Sequence, residues 1–312
     1  HATYPNNDPS DQPYNRYGAF NEYNRNKMSL TLNLTREDCK EVFRTLVSIS
    51  DIVIENYSSR VMANFGFGYP ALRTINPTIL FISMPGFGMT GPHKNHVSYG
   101  TNIEPTAGAS NMIGYPGSMP YKSGEALPDP NAGLHAVGAL LTALLYRRRT
   151  GVGQFIDLSQ NEAFIGLIGE ALLAYEMNKE EPVRMGNRHP YFAPHNTYKC
   201  KGQDCWVGIA VTNDKEWNSL CDVMGNPTWT KKNEFGDQLS RWKNQDELDE
   251  NISSWTANKN YKKLMHELQS NGIRAAAVYT NQDVVEDMHL NERGYFWEID
   301  QAATGPMIFS GV

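Results

Sequence analysis

Cysteine is scarce in this sequence: Cys39, Cys200, Cys205 and Cys221 are the four in 312 residues. That is too few for a disulfide framework in a chain of this length, so free thiols and a cytoplasmic location are expected. Long apolar runs are missing too. The most hydrophobic stretches, "AVGALLTALLY" and "AFIGLIGEALLAY", are shorter than a bilayer span, and Glu170 interrupts the second, so no membrane association is expected. The N-terminus carries no charged-then-apolar leader of the secretory kind. There is no surplus of positive charge: 28 Lys and Arg stand against 34 Asp and Glu, for a net charge of -6. Nucleic acid is therefore excluded as the main partner, because phosphate binding needs concentrated cations. The densest basic run, Arg147 to Arg149, is explained as the cationic last turn of a helix. A P-loop, a G-x-S-x-G elbow and an H-E-x-x-H pair are absent, as are internal repeats and low-complexity tracts.

What remains is the composition of a globular protein, 40% hydrophobic and 20% charged, with enough chain for one large domain or two ordinary ones. Residues 1 to about 24 are polar and aperiodic and predict an ordered or semi-ordered loop. "MSLTLNL" (Met28 to Leu34) alternates like a strand, and "TREDCKEVFRTLVSISD" predicts a helix with Thr35 as N-cap. "IVIEN" (Ile52 to Asn56) and "TILFISM" (Thr78 to Met84) predict short buried strands, separated by a helix over "YPALRTINP". Strand, helix, strand, helix, strand at these lengths indicates a parallel α/β layer. Ligands in such sheets sit beyond the carboxyl ends of strands, which singles out Asn56 and the loop after Met84. Helices are expected over Asp129 to Arg149 and Gln160 to Asn178. A turn-rich linker follows at 186–200, then a smaller α+β unit. That unit contains a hairpin over "TYKCKGQDCWVGIAV", helices near "DKEWNSLCDVMG" and "NYKKLMHELQSNG", and a last strand over Ile273 to Thr280.

Three motifs carry possible chemistry. "GFGMTG" (Gly86 to Gly91) follows a strand and matches G-x-G-x-x-G, but Pro92, His93, Lys94 and Asn95 prolong a loop where a dinucleotide site needs a helix. A glycine loop closing over a ligand, or a simple turn, explains it better. Cys200 and Cys205, with His189 and His195 upstream, resemble a zinc set only at the margin of the usual spacing. The predicted hairpin brings the two cysteines together without a metal, so no metal is expected. Asp129 before Pro130 has the pattern of a helix start, with Gly151 as the matching stop. The same position suits a reacting carboxylate, kept ionised by backbone N–H groups and the helix dipole. Local rules leave both readings open.

Several segments together resemble the family III coenzyme A transferases, the CaiB/BaiF group of formyl-CoA, carnitine and benzylsuccinate CoA-transferases. They are "NRNKMSLTLNL", "DIVIENYSSRVMANFGFGYPALRTINPTILFISMPGFGMTGP", "PDPNAGLHAVGALLTALLYRRRTGVGQFIDLSQNEA" and "GNRHPYFAPHNTYKCKG", in the family's order from about Asn24 onward. The resemblance implies an interlocked homodimer (a hetero-oligomer being the alternative). Each subunit would have a Rossmann-like large domain with a parallel sheet and a smaller α+β domain. Mapped onto this chain, the large CoA-binding and catalytic domain spans 1–185, the linker 186–200 and the small domain 201–285, and 286–312 begins a return segment to the large domain. The family normally has a strand-helix unit upstream of His1 and a continuation beyond Val312, so the chain is expected to be a fragment or a processed form.

The resemblance also implies the chemistry. Asp129, before Pro130, Asn131, Ala132 and Gly133, corresponds to the family's nucleophile. It would attack a donor acyl-CoA, pass through a mixed anhydride and an aspartyl-CoA thioester, and hand CoA to a small carboxylic acid. Coenzyme A is then a substrate, and no permanently bound cofactor is implied. CoA contacts would include Asn56, Tyr57, Leu32 and Thr35, with Arg25 and Lys27 as phosphate partners. Gly86, Phe87, Gly88 and Tyr99 would line the substrate pocket. Where formyl-CoA transferases carry an arginine and a lysine near CoA, this chain has Asn64 and Val97. Their glycine-run loop is also missing between Met185 and Lys199, which points away from formyl-CoA and oxalate. The related α-methylacyl-CoA racemases keep the aspartate but pair it with a histidine. The matching position here is Tyr99, a poor base at neutral pH because a tyrosine ordinarily titrates near 10. A non-catalytic CoA-binding subunit is the remaining alternative.

Overall fold

The computed structural model describes residues 3–311, and their contacts divide them into two compact units. One is Thr31–Asn187; the other joins the residues up to Leu30 with those from Arg188 onward. The chain crosses between the units after Leu30 and again after Asn187. The first thirty residues, however, pack with the C-terminal half of the chain rather than with the parallel sheet.

The N-terminal segment is more regular than its composition suggests, with two short helices, α1 (Pro13–Arg16) and α2 (Gly18–Tyr23). Its cations hold it to the far end of the chain: Arg16 Nη1 donates to Ala303 O at 2.7 Å and Arg25 Nη1 to Ser310 O at 2.6 Å.

The Thr31–Asn187 unit contains α3 (Glu37–Ile49), β1 (Ile52–Glu55), α4 (Val61–Asn64), α5 (Tyr69–Ile75), β2 (Leu80–Ser83), α6 (Gly100–Thr106) and α7 (Ala109–Met112). After these come α8 (Pro128–Thr150), β3 (Gln154–Asp157), α9 (Gln160–Ile165) and α10 (Gly169–Asn178). The three strands form a parallel sheet in the order β1-β2-β3. Its third strand is therefore Gln154–Asp157, and Met28–Leu34, expected as a strand, belongs to no strand. Alternation alone does not make a strand without a partner to complete the backbone hydrogen bonds. The helix expected to start at Thr35 begins at Glu37 instead, because the Thr35 hydroxyl donates to Asn33 Oδ1 at 2.7 Å and is not used as a cap.

Central β2 is buried along its whole length, as parallel strands covered on both faces are. On one face Ala132, Ala136, Leu140 and Ala143 of α8 pack over Leu80, Ile82, Met84 and Leu158. The small alanines at helical spacing let the helix approach the sheet closely. On the other face Val47, Phe67, Leu72, Ile79 and Phe81 form a second layer.

In the other unit, β4 (His195–Lys199), β5 (Trp206–Ala210) and β6 (Arg274–Ala277) form an antiparallel sheet, with the β4–β5 hairpin where it was expected. Around it lie α11 (Asp214–Val223), α12 (Gln238–Lys243), α13 (Gln245–Thr256) and α14 (Tyr261–Ser270), of which α12 and α13 carried no clear sequence signal. The fully buried Arg241 guanidinium is bonded to Asp214 Oδ1 (2.6 Å), Gln238 Oε1 (3.0 Å) and the carbonyls of Ala193 and Phe235. A buried cation is tolerated only with such complete pairing. α15 (Asn281–Val285), α16 (Met288–Glu292) and the hairpin β7 (Phe296–Gln301) with β8 (Gly305–Ser310) finish the chain.

Candidate active site

The carboxyl ends of the parallel strands open into a cleft of about 380 Å³. Its walls bring together Asn56, Tyr57, Gly86, Tyr99 and Asp129, five of the residues expected at the site, with Ser58, Pro85, Lys94, His96, Val97, Ser98 and Gln160. This is where open parallel sheets place ligands.

The end of β1 is shaped by Glu55. Its buried carboxylate accepts a hydrogen bond from the Ser83 hydroxyl at the end of β2 and another from the Tyr57 amide at 2.7 Å. The strand end is thereby tied to its neighbour, and Asn56 and Tyr57 turn into the cleft. Gln160, at the start of α9, fixes Asn56 further: its Nε2 donates to Asn56 Oδ1 and to Met84 O, both at 2.8 Å. The Met84 carbonyl can only accept, so the amide nitrogen must face it. Gln160 Oε1 is then left buried with no partner among the described residues, as is Asn131 Nδ2.

The glycine segment lies against β3 and α9. The Gly86 carbonyl accepts from Asn161 N at 2.9 Å, and both Asp157 carboxylate oxygens accept from Met89 N, at 2.9 and 3.1 Å. Gly88 has φ +79°, which favours glycine, and a Cβ on Gly86 would come within 1.7 Å of Ser98 Oγ. The segment is thus a pinned turn and not the start of a dinucleotide helix. Phe87 and Gly88 flank Gly86 without lining the cleft; the Phe87 ring stands edge-on to His93 and His96 instead.

Asp129 departs from the geometry expected of it. The helix starts one residue earlier, at Pro128, so Leu127 holds the cap position and Asp129 is the second helical residue, with no capping hydrogen bond from its side chain. Its carboxylate rests against the first residue of α6: a Cβ on Gly100 would come within 2.6 Å of Asp129 Oδ2 and 2.7 Å of Ala126 Cβ. The side chain is open to the cleft, yet the surrounding protein desolvates the carboxylate enough to raise its pKa. Partial burial thus works against the ionised form.

Four of the expected CoA contacts lie outside the cleft lining. The Thr35 hydroxyl is engaged with Asn33, and Leu32 sits on the irregular segment before α3. Arg25 and Lys27 belong to the other unit and make local bonds there, Arg25 to Glu22 and Ser310, Lys27 to Tyr23 O and Asn24 Oδ1. Conversely, Ser58, Lys94, His96, Ser98 and Gln160 line the cleft without having been singled out. Ser58 was foreseeable as the neighbour of a strand end. Gln160 was not, because β3, which delivers it, was not recognised as a strand.

Cys200 and Cys205 face each other across the β4–β5 turn, with Cys200 N donating to Cys205 O at 2.7 Å, and all four cysteines are free thiols. Among the described residues no cluster of three His, Cys, Asp or Glu side chains is placed to hold a metal ion, and no helix is long and apolar enough to cross a membrane.

The fold and the strand-end cleft with its carboxylate are those of an α/β protein with a ligand site, and comparison with known proteins gives the class. Residues 4–312 match the family described as CoA-transferase family III. The chain belongs to that family and is a CoA-transferase. It is 32% identical over 298 residues to the succinyl-CoA:mesaconate CoA-transferase of Haloarcula marismortui, spanning 94% of this chain and 74% of the relative. It is 28% identical to the succinate–glutarate CoA-transferase of Agrobacterium fabrum, over 94% of this chain and 72% of that protein. Among solved structures, a CaiB/BaiF family protein from Brucella suis superposes with a TM-score of 0.85 at 30% identity, covering 95% of this chain and 81% of the other.

Proposed function

We propose that Asp129 is the nucleophile of a CoA transfer from an acyl-CoA donor to a carboxylic acid acceptor. The observation that carries this reading is that Asp129 is the only carboxylate lining the strand-end cleft among the described residues, and it is partly desolvated and free of capping bonds. An anion so placed is more reactive than a solvated one. A carboxylate oxygen of Asp129 attacks the thioester carbonyl, the C–S bond breaks and CoA thiolate leaves, giving an aspartyl-acyl anhydride. The thiolate attacks the Asp129 carbonyl carbon and releases the donor acid, leaving an aspartyl-CoA thioester. The acceptor carboxylate then attacks that thioester, and the returning thiolate takes the new acyl group and frees Asp129. No net proton transfer is needed, which suits a cleft whose polar wall is otherwise amide, hydroxyl and cation. The backbone N–H of Gly86, the residue of the glycine segment on the cleft wall, is suited to hold the oxyanion of each tetrahedral step.

We assign the CoA contacts to Asn56 and Tyr57, the two expected contacts that line the cleft. The acids exchanged are read as small dicarboxylic acids, since succinate, mesaconate and glutarate figure in the names of the relatives. The four free thiols support a cytoplasmic setting. A homodimer is the proposed assembly. The relatives named as alpha and beta subunits of a succinyl-CoA–L-malate CoA-transferase make a hetero-oligomer the alternative.

The test is to incubate the protein with succinyl-CoA, trap with borohydride or hydroxylamine, and map the peptide holding Asp129 by mass spectrometry. A modified Asp129, and loss of CoA exchange in Asp129→Ala, are expected. An unmodified Asp129, or full exchange in the variant, rejects the reading. Deuterium entering the α-carbon of a 2-methylacyl-CoA without exchange would instead assign the cleft to racemisation.

A further inference from the structure

Among the described residues Lys94 and His96 are the only basic side chains on the cleft wall, and the proposed CoA transfer gives them no role. Both sit on the loop that follows the glycine segment, and that loop is held in place. The Ser59 hydroxyl, itself buried, donates to Lys94 O at 2.8 Å, and His96 N donates to His93 O at 2.8 Å. The His96 ring packs on His93 with centroids 4.5 Å apart and stands edge-on to Phe87. The side chains, by contrast, are uncommitted: among the described residues neither Lys94 nor His96 has a carboxylate partner. A cation on a pinned loop, facing a cleft and bound to nothing, is suited to receive an anion.

The position of that anion follows from Asp129. Asp129 lines the same cleft, and among the described residues no ion pair joins its carboxylate to Lys94 or His96. Lys94 and His96 are therefore not paired with the nucleophile, although all three line one cleft. An anion bound by them lies apart from the reacting carbonyl. A dicarboxylic acyl group held by one end on Asp129 carries a second charge at its other end, free to meet a cation on the same cleft wall.

We propose that Lys94, with His96 beside it, binds the far carboxylate of a dicarboxylic acyl group and sets the preference of the enzyme for diacids over monoacids. The assignment rests on Asp129 being the acyl-transfer nucleophile. Lys94 supplies the charge and His96 a ring N–H donor, and the pinned loop lets both act without reorganising.

The experiment compares kcat/KM for succinyl-CoA and butyryl-CoA with a single acceptor, in the wild type, Lys94→Met, Lys94→Arg and Lys94→Met/His96→Gln. The two donors differ only in carrying a carboxylate or a methyl at the far end, so any contact with the CoA phosphates cancels in the ratio. The succinyl-to-butyryl ratio is expected to fall about tenfold in Lys94→Met, as for loss of one charge-assisted hydrogen bond, and further in the double variant. Lys94→Arg, which keeps the charge, should recover most of the ratio. A ratio that does not change in Lys94→Met overturns the assignment, whether both donors slow together, as expected if the lysine meets a CoA phosphate, or neither does. Failure of the wild type to exchange CoA with any donor would overturn the CoA-transfer reading itself, and this assignment with it.

Discussion

Asp129 is a carboxylate that the fold leaves poorly stabilised, with no capping bond, no cation partner and enough surrounding protein to raise its pKa. Two consequences can be measured. The nucleophile must be deprotonated, so the rate of its acylation should fall on the acid side with a midpoint above the ordinary aspartate value of about 3.9. Single-turnover acylation followed from about pH 4 to about pH 8 reads this directly, and a midpoint at or below the ordinary value would contradict it. A carboxylate with a raised folded-state pKa helps stability only while protonated, and that help is lost as pH rises through the folded pKa. At neutral pH the charge is therefore a burden, and Asp129→Asn should abolish CoA exchange while leaving the melting temperature unchanged or slightly higher. Gly100 tests the neighbouring contact. Alanine there would put a methyl within 2.6 Å of Asp129 Oδ2, displacing the carboxylate by a fraction of its bond lengths. Because the same methyl would also meet Ala126 Cβ at 2.7 Å, Gly100→Ala is expected to fold with a lowered melting temperature and to lose about 100-fold in kcat/KM, the scale of effect of a 1 Å misplacement. An unimpaired variant would mean that the exact place of the carboxylate does not matter.

At the scale of elements, the approach to α8 is held by a buried glutamate on α6. Glu104 Oε1 accepts the Ser123 amide at 2.7 Å and Oε2 lies 2.7 Å from the Ser123 hydroxyl, fixing the segment that leads through Ala126 to Asp129. Glu104→Leu keeps the approximate volume but removes both acceptors, leaving the Ser123 amide without its partner. A loss of about 2 kcal/mol of stability, together with slower acylation, is expected, and chemical unfolding beside single-turnover kinetics would register both. None of the Glu104 network could be read from the sequence, since a glutamate before a proline in a short helix carries no local signal of burial. Other features were legible: the β1 and β2 strands, α8 with its glycine stop, and the β4–β5 hairpin follow from period, capping and turn residues. Met28–Leu34 misled because pairing, and not alternation, makes a strand. β3 was missed because four half-exposed residues after a helix stop look like a loop. Of the expected site, the residues at strand ends gathered in the cleft, where topology alone determines position. Arg25 and Lys27, expected as phosphate partners, belong to the other unit and bond there to Ser310 O and Tyr23 O.

At the scale of the whole molecule, α8 has a second apolar face beyond the one that covers the sheet. Leu134, Val137, Leu141 and Leu145 recur three and four residues apart, so they share one side of the helix, and they are 76%, 56%, 58% and 59% exposed. Their buried counterparts, Ala132, Ala136, Leu140 and Ala143, lie on the opposite side. A helix that is apolar all round is expected to be covered all round. Leu167, in the turn before α10, and Leu173 and Met177 on α10 are likewise 61%, 62% and 77% exposed. Exposed apolar surface on this scale is uncommon on a monomer and marks an interface. Full burial of such a side chain contributes about 1.5–3 kcal/mol, so the α8 stripe alone supplies a substantial share of what a stable dimer of two copies requires. Leu141→Glu/Leu145→Glu places two charges in the middle of that stripe, on side chains that the isolated chain does not bury. The chain should keep its helical content and its thermal transition as a subunit but shift from dimer to monomer in light scattering at micromolar concentration. A wild type that is already monomeric, or a double variant that remains fully dimeric, would take this face out of the assembly. If two copies do meet there, they do so on the outer side of the helix whose first turn presents Asp129, so monomerisation should also slow acylation, and the same variant measured in single turnover shows whether the active site depends on the pair.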